Sequence, residues 1–298
     1  MKIFNFKKID AFATTNSAGN PAGYVKLNSQ DEINEIEMQK IAKELKGFVN
    51  EVGFLFRDEK NIFNLKFYSS EKEVAFCGHA TIAIMYDLIK NDVNLIDKNR
   101  LIIKTNRGVL SVENRLREED AVFIMSPIPF KKDLSLKLQD ITNNLKIEME
   151  DIDNDYSISI INARLTTLLV PIKNLDSILK INPDFESLKH FCFSKEIDII
   201  ETFTKDVSDK SNDFRTRVFA PTFGYLEDPA TGSGNSAFGY YLLNFGHFKK
   251  NTIMIEQNND RNRFNIVKLQ KKIDDEKNER ILFGGNAINR IEGNYYLY

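Results

Sequence analysis

The chain has 298 residues, 42% hydrophobic and 28% charged, an ordinary globular composition with apolar content enough for one large domain or two medium ones. Lys and Arg number 41 against 43 Asp and Glu, a formal net charge of -2, which argues against a basic nucleic-acid surface and against an acidic solvating tail. Two cysteines cannot build a disulfide framework, no apolar run approaches the roughly 20 residues of a membrane span, and Met1 to Lys8 lacks a signal-peptide core; a soluble, cytoplasmic protein is expected, with no membrane partner.

Lys2 to Phe12 reads as a strand, with Ile3, Phe4, Phe6, Ile9 and Phe12 apolar. A turn cluster, Ala18 to Gly23, leads to a short strand, Tyr24 to Leu27. Ser29, with Glu32 three positions on, has capping-box spacing and predicts a helix start; Ile33, Ile36, Met38, Ile41 and Leu45 would share a face, and Gly47 would end it. Glu51 to Phe56 and Phe63 to Tyr68 read as strands. Phe76-Cys77-Gly78-His79-Ala80-Thr81 is a small-residue turn feeding an apolar helix to about Lys90. Leu101 to Thr105 and Val109 to Val112 flank a tight turn as a hairpin, and Ala121 to Met125 is a further strand.

Pro127 and Pro129 mark the expected boundary between an N-terminal lobe, residues 1–126 completed by about 286–298, and a C-terminal lobe, 127–285. Lys131 to Asp155 is polar with helix propensity. Ser157 to Ile161 and Leu165 to Val170 read as strands, Pro183 to Phe191 as a helix, and Ile197 to Phe203 and Phe214 to Phe219 as strands. Glu227-Asp228-Pro229-Ala230-Thr231-Gly232-Ser233-Gly234 is a second small-residue turn, opening a helix to about Phe245. Thr252–Glu256, Phe264–Leu269, Arg280–Phe283 and Ala287–Glu292 close the chain as strands. Two α+β halves with a ligand cleft between them follow, each carrying one apolar helix behind a small-residue turn.

Those turns are where chemistry is expected. Unpaired N–H groups at a helix start attract anions. At the second, Asp228 could orient a polar substrate; the plainer structural reading is that Asp, Thr or Ser caps the helix. The turn is neither a phosphate-binding loop with its lysine nor a dinucleotide fingerprint. His79 sits in the first turn of the other helix, where positive potential favours neutral imidazole; its plainer reading is structural. Cys77 could be a thiolate base, but reads more readily as a small buried residue. The three histidines, His79, His190 and His247, lack His-x-x-His or Glu-x-x-His spacing, so no metal site is expected. Glu51 is simply a polar residue at a strand end, and periodicity gives no reason to choose it.

Several motifs, in order, resemble the PhzF family, named for a phenazine-biosynthesis isomerase, within the diaminopimelate-epimerase-like fold. They are Ile9-Asp10-Ala11-Phe12 with Gly19-Asn20-Pro21-Ala22, Asn50-Glu51-Val52-Gly53-Phe54, Cys77-Gly78-His79-Ala80-Thr81, Arg217-Val218-Phe219-Ala220-Pro221, Glu227 to Ser233, Glu256-Gln257, and Gly284-Gly285-Asn286-Ala287 with Ile291-Glu292-Gly293. The resemblance implies two pseudo-symmetric α+β lobes, each a β-barrel-like sheet around a central helix, and a homodimer. It implies that Glu51 is the catalytic acid/base, supported by His79, Asp228 and Ser233, with Gly78, Ala80, Thr231, Gly232 and Gly234 at the substrate. The reaction would move a proton between carbons of a small anionic metabolite without cofactor or metal. The family's Ser-Glu-Thr-Ala stands here as Asn50-Glu51-Val52-Gly53, its Thr-Pro as Ser69-Ser70, its Glu-Gln-Gly as Glu256-Gln257-Asn258 and its Arg-Pro-Ser as Arg263-Phe264-Asn265. The last two changes imply a differently shaped substrate edge. A cysteine-based racemase or epimerase, needing a thiol at each helix start, and a non-catalytic small-anion binding protein are the alternatives.

Overall fold

A computed structural model describes residues 1–58, 62–131 and 136–298. The elements in chain order are β1 (Lys2–Ala11), β2 (Asn20–Lys26), α1 (Glu35–Glu44), β3 (Glu51–Arg57), β4 (Phe63–Ser69), β5 (Glu73–Val74), α2 (Gly78–Lys90), β6 (Arg100–Thr105), β7 (Gly108–Arg115), α3 (Leu116–Glu119) and β8 (Ala121–Met125). There follow β9 (Phe130–Lys131), α4 (Leu138–Leu145), β10 (Ser159–Asn162), β11 (Thr166–Pro171), α5 (Leu175–Lys180), α6 (Phe185–Ser194), β12 (Ile199–Thr204), β13 (Phe214–Phe219) and β14 (Glu227–Asp228). The last are α7 (Gly232–Asn244), β15 (Thr252–Gln257), β16 (Asn265–Ile273), β17 (Glu279–Gly285) and β18 (Ala287–Leu297). Residues 132–135, within the polar stretch expected to have helix propensity, lie outside the described residues. The chain divides into a first unit, Met1–Ala13, Ala18–Met125 and Gly284–Tyr298, and a second, Thr14–Ser17 and Ser126–Phe283.

In the first unit β1 pairs antiparallel with both β18 and β2. β2 runs parallel to β3, β3 antiparallel to β4, and β4 parallel to β6, which continues antiparallel through β7 to β8. These strands wrap α2, which touches β1, β2, β3, β8 and β18. The helix is buried from Ala80 through Ile89 without interruption, as an apolar sequence on every face requires. α1 covers the outside of β3 and β4 and buries Met38, Ile41 and Ala42.

The second unit repeats the order. β11 runs parallel to β12, β12 antiparallel to β13, β13 antiparallel to β14 and parallel to β15. α7 packs on β10, β11, β12 and β16 and is buried from Gly234 through Leu242. The register makes the repeat specific. Phe67 lies between Gly53 and Val74, and Val218 lies between Glu201 and Asp228. From Val74 and Asp228 the chain takes the same number of residues to Gly78 and Gly232, where the helices begin. Cys77 therefore corresponds to Thr231, His79 to Ser233 and Gly53 to Glu201.

The corresponding pair Gly53 and Glu201 solves one packing problem in opposite ways. A Cβ on Gly53 would stand 2.2 Å from Ile84 Cδ1, so a small strand residue admits a large helix residue. In the second unit the strand residue is large, and Gly234 makes room: a Cβ there would stand 2.9 Å from Glu201 Oε2.

Three expectations need correction. Ser29 makes no cap hydrogen bond; Gln30–Glu32 is one 3₁₀ turn, and α1 begins after Asn34, whose side chain accepts from Glu37 N while Glu37 accepts from Asn34 N. Ile36 faces solvent at 82% exposure, because the helix starts later than the spacing predicts and its inward face runs through Met38 and Ile41. Pro183 to Phe191 shifts to α6, whose cap is Asp184, accepting from Ser187 N.

Substitution of Gly53 by Ala should cost about 1–3 kcal/mol through overpacking. Adding Ile84→Val removes the clashing methyl, so the double variant in chemical denaturation should be less destabilised than the sum of the single ones; strict additivity would remove Ile84 as the cause. Glu201 is fully buried and neither carboxylate oxygen has a hydrogen-bond partner among the described residues, so burial raises its pKa well above 4.5. The folded state then keeps a proton that the unfolded state releases above its ordinary value, and stability falls as pH rises by about 1.4 kcal/mol per unit until the folded pKa is reached. Glu201→Gln should therefore melt higher than the parent at pH 8, with the gap closing toward pH 4.5; a gap that does not change with pH would contradict this.

Candidate active site

Of the helices other than α2 and α7, α1, α5 and α6 carry a side-chain cap, whereas α3 and α4 do not. Asn34, Asn174 and Asp184 each accept a backbone N–H from the first turn of α1, α5 and α6. The two enclosed helices are also without a side-chain cap. Cys77 and Thr231 occupy the N-cap positions of α2 and α7, and neither side chain caps its helix. The capping reading of the Asp228 turn thus fails: Thr231 Oγ1 instead donates to Asp228 Oδ2 at 2.7 Å.

In the first unit, three side chains meet at the start of α2. Glu51 is the first residue of β3, and the parallel β2–β3 pairing sets it opposite Ala22 while β4 sets it opposite Ser69. Glu51 Oε2 lies 3.3 Å from His79 Nε2, and Cys77 Sγ lies 3.3 Å from His79 Nδ1. The Glu51 and His79 side chains are 22% and 12% exposed, so the group is largely withdrawn from water. Burial pushes the Glu51 carboxyl up to about 7, against a hydrogen bond from Cys77 that favours its charged form. Glu51 Oε2 is buried and has no aligned hydrogen bond, although His79 stands at ion-pair distance. Gly78 and Ala80 flank His79 in the same turn, Ala80 being fully buried.

In the second unit, Asp228, Thr231, Asn235 and Gln257 form a buried network. Gln257 Oε1 accepts from Thr231 N at 2.9 Å and from Asn235 Nδ2 at 2.7 Å. Its Nε2 donates to Asp228 O at 2.9 Å and to Thr231 Oγ1 at 3.1 Å. Gln257 thereby uses its full hydrogen-bonding capacity to fix the turn before α7. Gly232 opens the helix, where a Cβ would stand 2.4 Å from the Phe283 ring; Gly234 accommodates Glu201. Ser233, the second residue of α7, is partly exposed and its hydroxyl is no part of this network.

Sequence reasoning gave two participants, Cys77 and Gln257, no site role. Cys77 reads as packing, yet it touches both Glu51 and His79. Gln257 carries no local signal beyond its place in a strand, since its partners are 22 to 29 residues away. The donor atoms of Glu51, Cys77 and His79 also lie within 4.8 Å of one another, a group that spacing of histidines alone could not reveal. Gln257→Leu leaves Thr231 N, Asp228 O and Asn235 Nδ2 short of a buried partner and should cost about 2–4 kcal/mol in denaturation; a loss below about 1 kcal/mol would show that water replaces the amide.

The first unit thus places a largely buried carboxyl beside a histidine at the uncapped start of an enclosed helix. The chain belongs to the PhzC-PhzF family, described as phenazine biosynthesis-like protein, which it matches over residues 9–293. It is 30% identical to an uncharacterized isomerase of Clostridium acetobutylicum, across 97% of this chain and 96% of that protein. The solved PhzF-family phenazine biosynthesis protein of Bacillus anthracis superposes with a TM-score of 0.87 at 25% identity, covering 100% of both chains. A predicted epimerase of Pseudomonas aeruginosa shares the fold at a TM-score of 0.74 and 15% identity, over 99% of this chain and 100% of that one.

Proposed function

We propose that the protein moves a proton between carbons of a small anionic, amino-acid-like or cyclic acid substrate, using Glu51 as acid and base and no cofactor. The observation that carries this reading is the Glu51–His79–Cys77 cluster. A carboxyl raised to about 7 populates both protonation states near neutrality, so it can take a proton from one carbon and return it to another. His79 at 3.3 Å holds the carboxyl or hands on its proton. The uncapped start of α2 supplies positive potential where substrate charge would build up. Asp228 and Ser233 take the supporting roles that the family motif gives them, with Thr231, Gly232 and Gly234 forming the backbone of that second turn.

The two-thiol alternative finds no support. The position equivalent to Cys77 is Thr231, and Cys192 is fully buried in the apolar cluster with Leu168, Phe191 and Ile200, its thiol pushed up to about 12 by burial.

Incubation with candidate amino acids and cyclic acids in deuterated water, read by proton NMR, tests the proposal. The parent should incorporate deuterium at a substrate carbon, and Glu51→Gln should slow incorporation by about 10²–10⁴. Undiminished exchange in a folded Glu51→Gln protein would overturn it. Cys77→Ser should keep most exchange, whereas a complete loss there would favour thiol chemistry.

A further inference from the structure

The strands around α2 outrun the helix at its far end. α2 stops at Lys90, with Asn91 as its C-cap, at the end opposite to His79. Glu292, Lys7 and Tyr24 form one row across β18, β1 and β2. Asn5 and Lys26 lie two residues along on the same face of β1 and β2. These residues floor a cavity of about 440 Å³. Its walls are the last turn of α2, with Asp87 and Asn91, and then Asp92 and Val93. Every residue around it belongs to the first unit.

The charges inside are partly paired, and the remainder is negative. Lys7 Nζ lies 2.9 Å from Asp87 Oδ2 and 3.5 Å from Glu292 Oε2. Asn91 Nδ2 donates to Asp87 Oδ1 at 3.1 Å. One ammonium therefore answers two carboxylates, and Glu292 stays half exposed. Asp92 adds a third carboxylate, which approaches Arg57 only to 3.9 Å. The carbonyl end of α2 contributes about half a negative charge more. Lys26 is exposed at the rim, where water answers its charge.

Tyr24 supplies an independent observation. It is 3% exposed and stands opposite Lys7, yet its hydroxyl makes no hydrogen bond among the described residues. Buried hydroxyls are normally bonded, and this side chain lines the cavity. Burial and the Asp87 charge raise its pKa, so the phenol stays neutral and can accept from an N–H donor. The cavity is far larger than an inorganic cation needs and lies within the size range of small-molecule sites. We propose that it binds a small organic ammonium ion, a primary amine or diamine, with its N–H groups toward Asp92, Glu292 and the Tyr24 hydroxyl. The ammonium would complete the pairing that Lys7 begins. This binding is separate from the proposed proton transfer and does not depend on it.

The test titrates the full chain with 1,4-diaminobutane, read by calorimetry and by amide NMR shifts, against sodium chloride at matched ionic strength. One equivalent should bind and shift the amide signals of Lys7, Tyr24 and Asp92, while butanoate and 1-butanol should give no heat. Asp92→Asn and Glu292→Gln should each weaken binding about 10-fold, and Tyr24→Phe, which keeps the ring, about 5-fold. Lys26→Met should bind at least as tightly as the parent. Glu51→Gln should bind as the parent does, which keeps a failure here distinguishable from a failure of the proposed reaction. Circular dichroism melts establish that each variant is folded. Absence of saturable binding in the parent, or an affinity unchanged in Asp92→Asn, Glu292→Gln and Tyr24→Phe, would overturn the proposal. Binding weakened by Lys26→Met would overturn the assignment to an ammonium ion and point to a ligand with its own carboxylate.

Discussion

Each unit depends on enclosing a helix on all sides. α2 and α7 have no face turned to solvent over most of their length, and an apolar helix so placed gains from every residue it buries. The enclosure also dictates where polarity can appear. Backbone groups in the middle of each helix satisfy one another, so the first turn is where unbonded N–H groups concentrate. In α1, α5 and α6 asparagine or aspartate fills that need. At Cys77 and Thr231 no side chain does, and the stabilisation of about 1 kcal/mol that a cap commonly supplies is forgone. Short α3 and α4 also lack a side-chain cap, but α2 and α7 are the enclosed helices that do without one, and their starts carry the family's motifs.

Three glutamates, two of them fully buried, show how one desolvation cost is met in different ways. Glu256 is fully buried opposite Arg215 at 3.0 Å, and also accepts from Ser208 N, Asp209 N and Asn212 Nδ2. Arg215 in turn donates to Asn258 O and Oδ1. With charge and hydrogen bonds answered, this pair is a structural fixture of β13 and β15. Glu201 has no such partner and is held neutral beneath Gly234. Glu51 stands between them, partly exposed and partly answered by Cys77. Only the intermediate case leaves a carboxyl free to change protonation near neutral pH, which is what proton transfer needs.

Local chemistry made the strands and the two enclosed helices legible. The alternation in Phe63 to Tyr68, the two-residue turn between Thr105 and Gly108, and the apolar run after Gly78 all report interactions close in sequence. The α1 start misled because Ser29-x-x-Glu32 and Asn34-x-x-Glu37 present the same capping pattern, and spacing alone does not rank them. Glu51 was invisible to periodicity for a different reason. Its significance comes from β2–β3 and β3–β4 pairing, which carries it to residues 77 and 79, and only the resemblance to a family singled it out. Gln257 and Glu201 are legible only once the register is known, since each acts on α7 from a strand distant in sequence.

The repeat shows how two copies of one scaffold can diverge without losing their packing. At the position shared by Gly53 and Glu201, volume removed from the strand is returned on the helix by Ile84 in the first unit, and volume added to the strand is removed from the helix at Gly234 in the second. At the helix starts, Cys77 and His79 face Thr231 and Ser233 in the correspondence, so one unit carries groups that titrate and the other hydroxyls that do not. The division follows from surroundings as much as from residue type. A thiol and an imidazole beside Glu51 can exchange protons with it, while Thr231 is already committed to Asp228 and Gln257. The position in the second unit that corresponds to Cys77 has no place for a titrating group, because the Thr231 hydroxyl is held by Asp228 and Gln257.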